Sequence, residues 1–187
     1  KIPQVSISLV VSNTKTITER LNAGEIDIAL VEGDVSKQRF TVDTLLSDEL
    51  VVIMSPAHAW AERRNIPAMD IIKEPLILRE EGSGTRQVIL KYLEEHGIKR
   101  DSLKVSLVLG STESIKSAVE EGVGISIVSA WAARQAIKYG VLKAMTFKDI
   151  KFNRNFSIIS PKRNYCTHTA KEFLNFLKVY PIKHPLP

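Results

Sequence analysis

The chain has 187 residues, enough for one domain or two small ones, and its 44% hydrophobic and 25% charged residues are typical of a globular protein with a sizeable core. The formal net charge of +5 comes from 26 basic and 21 acidic residues that are scattered along the chain. We interpret short basic concentrations, such as residues 148–154, as solvated faces and not as a nucleic-acid surface. No apolar run approaches the roughly 18 residues that a membrane helix needs, and no signal peptide opens the chain.

Cysteine and histidine give little support for redox, metal or enzymatic chemistry. The single cysteine, Cys166, excludes an intrachain disulfide and mildly favours the cytosol. The four histidines are dispersed, and none has the i, i+4 spacing of a metal-ligand pair. Because no nucleophile, base and orienting residue can be grouped either, we predict a protein that is not an enzyme and has no catalytic residue, metal or cofactor.

The first third of the chain predicts strand, helix and strand. Residues 5–11 alternate and then run apolar, Ile17 and Leu21 lie one helical turn apart, and Gly24 stands where a helix ends. Residues 26–31 form a short buried-strand pattern. After a more polar segment, residues 49–54 predict a strongly apolar strand that Ser55-Pro56 stops.

The middle of the chain repeats one unit, namely a strand, a turn rich in glycine and hydroxyl residues, and a helix. The predicted strands are residues 76–78, 105–109 and 124–128. The helices that follow begin near residues 87, 112 and 130 and end at Gly97, Gly122 and Gly140. Such alternation favours parallel sheets covered on both faces by helices.

The last part of the chain predicts a strand and turn over residues 141–150, a strand over residues 156–159, and a final helix. Thr169 and Glu172 have the spacing of a capping box at the start of that helix. The tail after residue 181 is predicted to fray. The strands at 49–54 and 156–159 are each followed by Ser-Pro, so we expect them to be paired crossovers between two lobes that clamp a ligand.

One loop combines the features of an anion site. Between strand 76–78 and its helix stand Gly82, Ser83, Gly84, Thr85 and Arg86, which place hydroxyls, turned backbone N–H groups and a guanidinium at a helix N-terminus. The alternative is an ordinary helix cap. In open α/β sheets ligands bind outside the C-terminal ends of the strands, where this loop falls.

Five stretches in order resemble the effector-binding domain of LysR-type transcriptional regulators. They are residues 3–14, 24–29, 48–58, 79–86 and 110–129. The resemblance implies an α/β fold of two Rossmann-like lobes joined by two crossover strands, as in type 2 periplasmic binding proteins. Lobe I would comprise residues 1–54 and 155–187, and lobe II residues 55–154. It also implies a first strand and helix, and a winged helix-turn-helix that binds DNA, ahead of the residues given.

The resemblance further implies that a small metabolite binds between the lobes and controls transcription. Carried over by position, Thr14 and the backbone near Glu32-Gly33 would line the cleft from lobe I. The lobe II set would be Ser83, Gly84, Thr85, Arg86 and Ser129. Short hydroxyls and helix N-termini suit a small carboxylate or oxyanion. The alternative for Ser111, Thr112 and Ser129 is that each only caps its helix.

The resemblance implies a cytoplasmic protein that forms a homodimer or homotetramer, by packing a first-lobe helix against a partner's second-lobe helix. DNA would be contacted only through the segment that precedes these residues, and no membrane partner is expected. The competing hypothesis is an extracytoplasmic solute-binding receptor with the same two lobes.

Overall fold

The computed structural model describes residues 6–162 and 167–179. Cys166 and the tail after residue 181, on which expectations were stated above, lie outside these ranges. The helices are α1 Thr14–Asn22, α2 Gly84–Glu95, α3 Thr112–Glu120, α4 Ala130–Lys138 and α5 His168–Val179. The strands are β1 Ala29–Glu32, β2 Phe40–Met54, β3 Pro75–Arg79, β4 Lys104–Leu109, β5 Ile125–Ser129, β6 Lys143–Met145 and β7 Phe152–Pro161. Two short 3-10 helices, Ala68–Lys73 and Arg100–Ser102, complete the regular structure of these ranges.

Helix starts follow the hydroxyl and amide residues of the sequence. Asn13, Ser83, Ser111 and Ser129 are the N-caps of α1 to α4, and each side chain accepts a hydrogen bond from a backbone N–H in the first turn. At α5 the predicted capping box is wrong, because Thr169 lies inside the helix and Thr167 accepts the bond from the N–H of Ala170 at 3.2 Å.

The sheet is mixed, with the order β1-β7-β2-β5-β3-β4, and β6 also pairs with β2. β3 is parallel to β4 and β5, whereas the other described pairs are antiparallel. The expectation of parallel sheets therefore holds only in part. The reason is the two long strands, β2 and β7, which run antiparallel to each other and continue from one half of the molecule into the other.

The two long strands join two lobes. β7 pairs with β1 near its C-terminal end, and β2 pairs with β5 and β6 near its C-terminal end. β2 is longer than the predicted strand 49–54, because its exposed and half-buried residues 41–47 are held in the strand by pairing with β7. The lobe with α1 and β1 is lobe I, and the lobe with α2, α3, α4, β3, β4 and β5 is lobe II.

Lobe II is layered around its sheet. Val52 and Leu76 face one buried cluster with α2, and Ile53 and Ile77 face a second cluster with α3 and α4. Successive strand residues point to opposite faces, so the continuous apolar runs of the sequence are explained by helices on both sides. This packing fixes the first turns of α2 and α4 at one edge of the sheet, where both helices begin.

The predicted strand over residues 5–11 is wrong for the part that is described, since residues 6–13 have no regular structure. The side chains of Ile7, Leu9 and Val11 are 77%, 86% and 86% exposed. Among the described residues no strand pairs with this segment, and a strand needs a hydrogen-bonded neighbour. In the same ranges, no helix has the length and apolar character that crossing a bilayer would require.

Candidate functional site

A group of polar side chains, all of them buried except that of Glu32, lies where the two lobes meet. We call Glu32, Asp48, Thr85, Ser129 and Arg154 the interlobe cluster. Glu32 ends β1, Thr85 lies in the first turn of α2, and Ser129 ends β5. Asp48 and Arg154 come from the two long strands, so the cluster joins both lobes to the strands between them.

Arg154 is the centre of the cluster. Arg154 is only 6% exposed, and Asp48 is equally buried. The Nε and Nη2 atoms of Arg154 lie 2.8 and 2.7 Å from Oδ2 of Asp48. Its guanidinium carbon also lies 5.0 Å from the centre of the Phe156 ring. Removing one partner of a buried ion pair leaves the other as an uncompensated buried charge. Asp48 and Arg154 therefore stabilise each other.

The second face of Arg154 reaches across the lobe junction. Nη1 donates to the carboxylate of Glu32 and, at 2.6 Å, to the hydroxyl oxygen of Thr85. The Thr85 hydroxyl in turn donates to Oε2 of Glu32 at 2.8 Å. A lobe I carboxylate therefore occupies hydrogen-bond donors of the linking strand and of the α2 N-terminus at the same time.

Ser129 has two roles in the cluster. Its hydroxyl oxygen accepts a bond from the N–H of Ala132 at 3.4 Å, which caps α4, and its O–H donates to Oδ1 of Asp48 at 2.9 Å. The capping alternative is thus correct for Ser129 but incomplete. Ser111 caps α3 in the exposed part of lobe II and bonds with Ser114.

The remaining residues of the predicted loop hold that loop together. Ser83 is 2% exposed, and its hydroxyl accepts a bond from the N–H of Arg86 at 3.5 Å. The Arg86 guanidinium donates to the carbonyl oxygen of Arg79 at 3.1 Å. Arg79 bonds both carboxylate oxygens of Glu80, at 2.7 and 3.0 Å.

The Glu80 carboxyl responds to two opposing effects. Burial by itself would raise its pKa, but the hydrogen bonds and the charge of Arg79 outweigh burial, so that the pKa of Glu80 lies below its ordinary value. Hydrogen bonds with its own backbone and with Asn13 act in the same direction. Glu80 is therefore charged near neutral pH and is committed to Arg79.

Gly84, at the start of α2, lies directly against Thr14 and Glu32 of lobe I. The Thr14 hydroxyl donates to the carbonyl oxygen of Glu32 at 3.3 Å. A Cβ atom on Gly84 would lie 2.0 Å from that same oxygen and 2.7 Å from the Thr14 hydroxyl. Only glycine permits this approach, so the glycine of the loop sets how closely α2 meets lobe I.

A cavity of about 260 Å³ lies beside the cluster. Lobe I contributes Gly33 and Asp34, α2 contributes Lys91 and Tyr92, and β7 contributes Arg154 and its two neighbours. Two of these lining residues bond each other, because Lys91 donates to Asp34 at 2.9 Å, and this hydrogen bond raises the pKa of Lys91. Arg154 therefore belongs both to the cluster and to the wall of this partly open cavity between the lobes.

Of the predicted residues, the structure brings Thr85 and Ser129 together through the cluster and places Thr14 and Gly84 against Glu32. Ser83 and Arg86 instead stabilise the loop. Sequence reasoning missed the side chains of Glu32, Asp48 and Arg154. The interpretation of residues 148–154 as a solvated face is wrong for Arg154, whose position between Phe152 and Phe156 in an alternating strand was the available signal.

The fold and this cleft define the class of the protein. Two α/β lobes joined by two long strands, with polar side chains and helix N-termini at the junction, form a two-lobed ligand-binding domain of the type 2 periplasmic-binding-protein kind. The family model of the LysR substrate-binding domain matches residues 1–180. The chain belongs to this family, as the sequence resemblance predicted.

Curated relatives carry names of transcriptional regulators. The "Probable RuBisCO transcriptional regulator" of Emiliania huxleyi is 34% identical over 182 residues, which cover 95% of this chain and 57% of the relative. The "HTH-type transcriptional activator CmpR" of Synechocystis is 31% identical over 175 residues, covering 94% and 57%. The chain thus spans little more than half the length of these relatives.

Solved structures show the same fold. The regulatory domain of CcmR from Synechocystis, in complex with 2-PG, has a TM-score of 0.83 and 28% identity over 94% of this chain and 83% of that one. The effector-binding domain of QuiR, in complex with shikimate, has a TM-score of 0.78 at 22% identity, covering 88% and 76%. The second comparison bears on the fold alone.

Proposed function

We propose that this chain senses a small anionic metabolite for a LysR-type transcriptional regulator. The metabolite binds between the lobes, and the change it causes at the lobe junction alters DNA binding elsewhere in the regulator. The observation that carries the proposal is the guanidinium of Arg154, buried at the lobe junction beside the hydroxyl of Thr85 and the N-terminus of α2.

This arrangement supports an anion for three reasons. A guanidinium forms strong, directional hydrogen bonds with carboxylates and oxyanions. The first N–H groups of α2, including those of Gly84 and Thr85, have no partner within their helix and carry the positive end of its dipole. A carboxylate, that of Glu32, already bonds Arg154 and Thr85, which supports a negative group at this position.

The names of the relatives favour a regulator over a solute receptor and over an enzyme. CcmR, whose regulatory domain was solved with 2-PG, is the structural relative with the higher identity of the two described. We therefore place 2-PG among the first ligands to test, together with inorganic phosphate, sulfate and citrate.

The test is calorimetric titration of the folded protein with these four compounds. At least one should bind with saturation, and Thr85→Val, which removes a hydroxyl but keeps the side-chain shape, should weaken binding by about tenfold. Thr41→Val, on the exposed face of β2, is the matched control and should bind as the wild type does. Absence of saturable heat from folded wild-type protein with all four would overturn the proposal.

We also propose the wider assignments implied by the family. Residues 1–54 and 155–187 form lobe I, and residues 55–154 form lobe II. Thr14, Gly84, Thr85 and Ser129 line the ligand site. Ser83 and Arg86 support the ligand by shaping the loop. The full-length regulator is cytoplasmic, binds DNA through a helix-turn-helix and self-associates. Mobility-shift assays of the full-length protein on selected genomic fragments, with and without ligand, test DNA binding. Sedimentation tests self-association.

A further inference from the structure

The Glu32 carboxylate occupies groups that suit an external anion. It accepts hydrogen bonds from Nη1 of Arg154 and from the Thr85 hydroxyl, which come from a linking strand and from lobe II. Glu32 itself belongs to lobe I, at the end of β1. Glu32, Arg154 and Thr85 therefore join lobe I, a linking strand and lobe II. A ligand bound between the lobes would join the same three parts.

The two carboxylates on Arg154 differ in how firmly they are held. The Asp48 side chain is 4% exposed and has a second donor in Ser129, whereas the Glu32 side chain is 35% exposed. Loss of Glu32 would leave Arg154 still paired with Asp48, so the guanidinium would not become an isolated buried charge. Glu32 is thus the carboxylate that can be exchanged at lower cost.

The backbone at Glu32 does not depend on this carboxylate. Its carbonyl oxygen is held by the Thr14 hydroxyl and packs against Gly84, and the N–H of Gly33 donates to the carbonyl oxygen of Asn155 at 3.2 Å. The side chain can rotate away while these contacts keep the end of β1 against α2. An exchange of anions at Arg154 therefore needs no displacement of a strand.

We propose that Glu32 is an internal competitor of the effector: its carboxylate occupies Arg154 and Thr85 in the ligand-free protein, and an anionic effector binds by taking over those donors. This inference rests on the proposed function. One consequence is that the competitor raises the effector concentration needed for binding, because the effector must displace a carboxylate that is tethered to the protein. A second is that effector binding frees the Glu32 side chain from lobe II, which changes the contacts between the lobes.

The test compares the affinity for inorganic phosphate and for 2-PG of the wild type and Glu32→Gln, by calorimetry of the whole protein. The substitution keeps the size of the side chain and removes its charge. Whichever of the two compounds binds the wild type should bind Glu32→Gln about tenfold more tightly. Glu121→Gln, at the exposed C-terminal end of α3, changes the net charge equally and should leave affinity unchanged. Glu32→Asp, too short to reach both donors, should also tighten binding and serves if the glutamine variant does not fold.

Each outcome decides between the two proposals. If wild type and variants bind equally, or if the Glu32 variants bind more weakly, the competitor proposal is wrong while the anion-sensing function stands. If Glu121→Gln tightens binding as much as Glu32→Gln, net charge explains the effect and the competitor proposal is also wrong. If neither the wild type nor any folded variant binds either compound or the other anions of the panel, both proposals fail.

Discussion

Asp48 and Arg154 face each other directly in the antiparallel ladder of β2 and β7, and their side chains form an ion pair that is almost completely removed from solvent. The pair lies on the two strands that join the lobes. It fixes the position of the guanidinium that reaches Thr85 and Glu32. The stability of the domain and the geometry of the site between the lobes therefore both depend on the side chain of Arg154.

Asp48→Asn is expected to lower the free energy of unfolding by roughly 3 kcal/mol, because it leaves a buried guanidinium without its principal charge partner. Urea unfolding followed by circular dichroism measures the change. Glu49→Gln, on the exposed face of the same strand, is the control and should stay within about 0.5 kcal/mol of the wild type. An equal effect of both substitutions would show that the buried pair contributes nothing specific.

Gly84→Ala should destabilise the protein by about 2 kcal/mol, because its Cβ would meet the carbonyl oxygen of Glu32 at 2.0 Å and force the lobes apart. Gly110 has no neighbour within 4 Å of the same added atom, so Gly110→Ala is the matched control. Urea unfolding compares the two variants. If they have equal stability, the close approach of α2 to β1 is not present in solution.

Ser129→Ala removes both the cap of α4 and a hydrogen bond to buried Asp48, and we expect a loss of about 2 kcal/mol. Ser111→Ala removes a similar cap from α3 at an exposed position, with an expected loss of about 1 kcal/mol. Thermal or urea unfolding gives the difference between them, which compares the buried contact of Ser129 with Asp48 to the exposed contact of Ser111 with Ser114. A larger loss at Ser111 would contradict the double role of Ser129.

The stability contribution of Glu80 should depend on pH. Its pKa is lower in the folded protein than the ordinary value of 4.5, so the folded state favours the charged carboxylate. This stabilisation is present above the unfolded pKa and is lost as pH falls through the folded pKa. Glu80→Gln should therefore be less stable than the wild type at pH 7, with the difference disappearing in acid.

Urea unfolding at a series of pH values from neutral to acid checks this dependence. Glu81→Gln, at the exposed neighbouring position, is the control and should show no such convergence. A difference for Glu80→Gln that persists unchanged into acid would mean that packing, and not the ion pair with Arg79, explains its effect.

Local patterns were sufficient for most of the elements of lobe II. β3, β4, β5 and the helices after them agree with the sequence to within a few residues, because apolar runs, hydroxyl caps and terminal glycines are local signals. The strand predicted at residues 5–11 failed because alternation indicates a strand but cannot supply its hydrogen-bonded neighbour. β2 was predicted too short because its first half is held in the strand by pairing with a strand more than a hundred residues away.

The sequence by itself determined the family, the two-lobed α/β architecture and the helix N-termini that carry Ser83, Thr85 and Ser129, since these depend on order and short spacing. Only the tertiary structure decided which groups those hydroxyls meet. Arg154 looked like one more surface cation until β7 placed it opposite Asp48 and beside Thr85. The physical reason is that burial and charge pairing depend on contacts distant in sequence, where no local pattern records the partner.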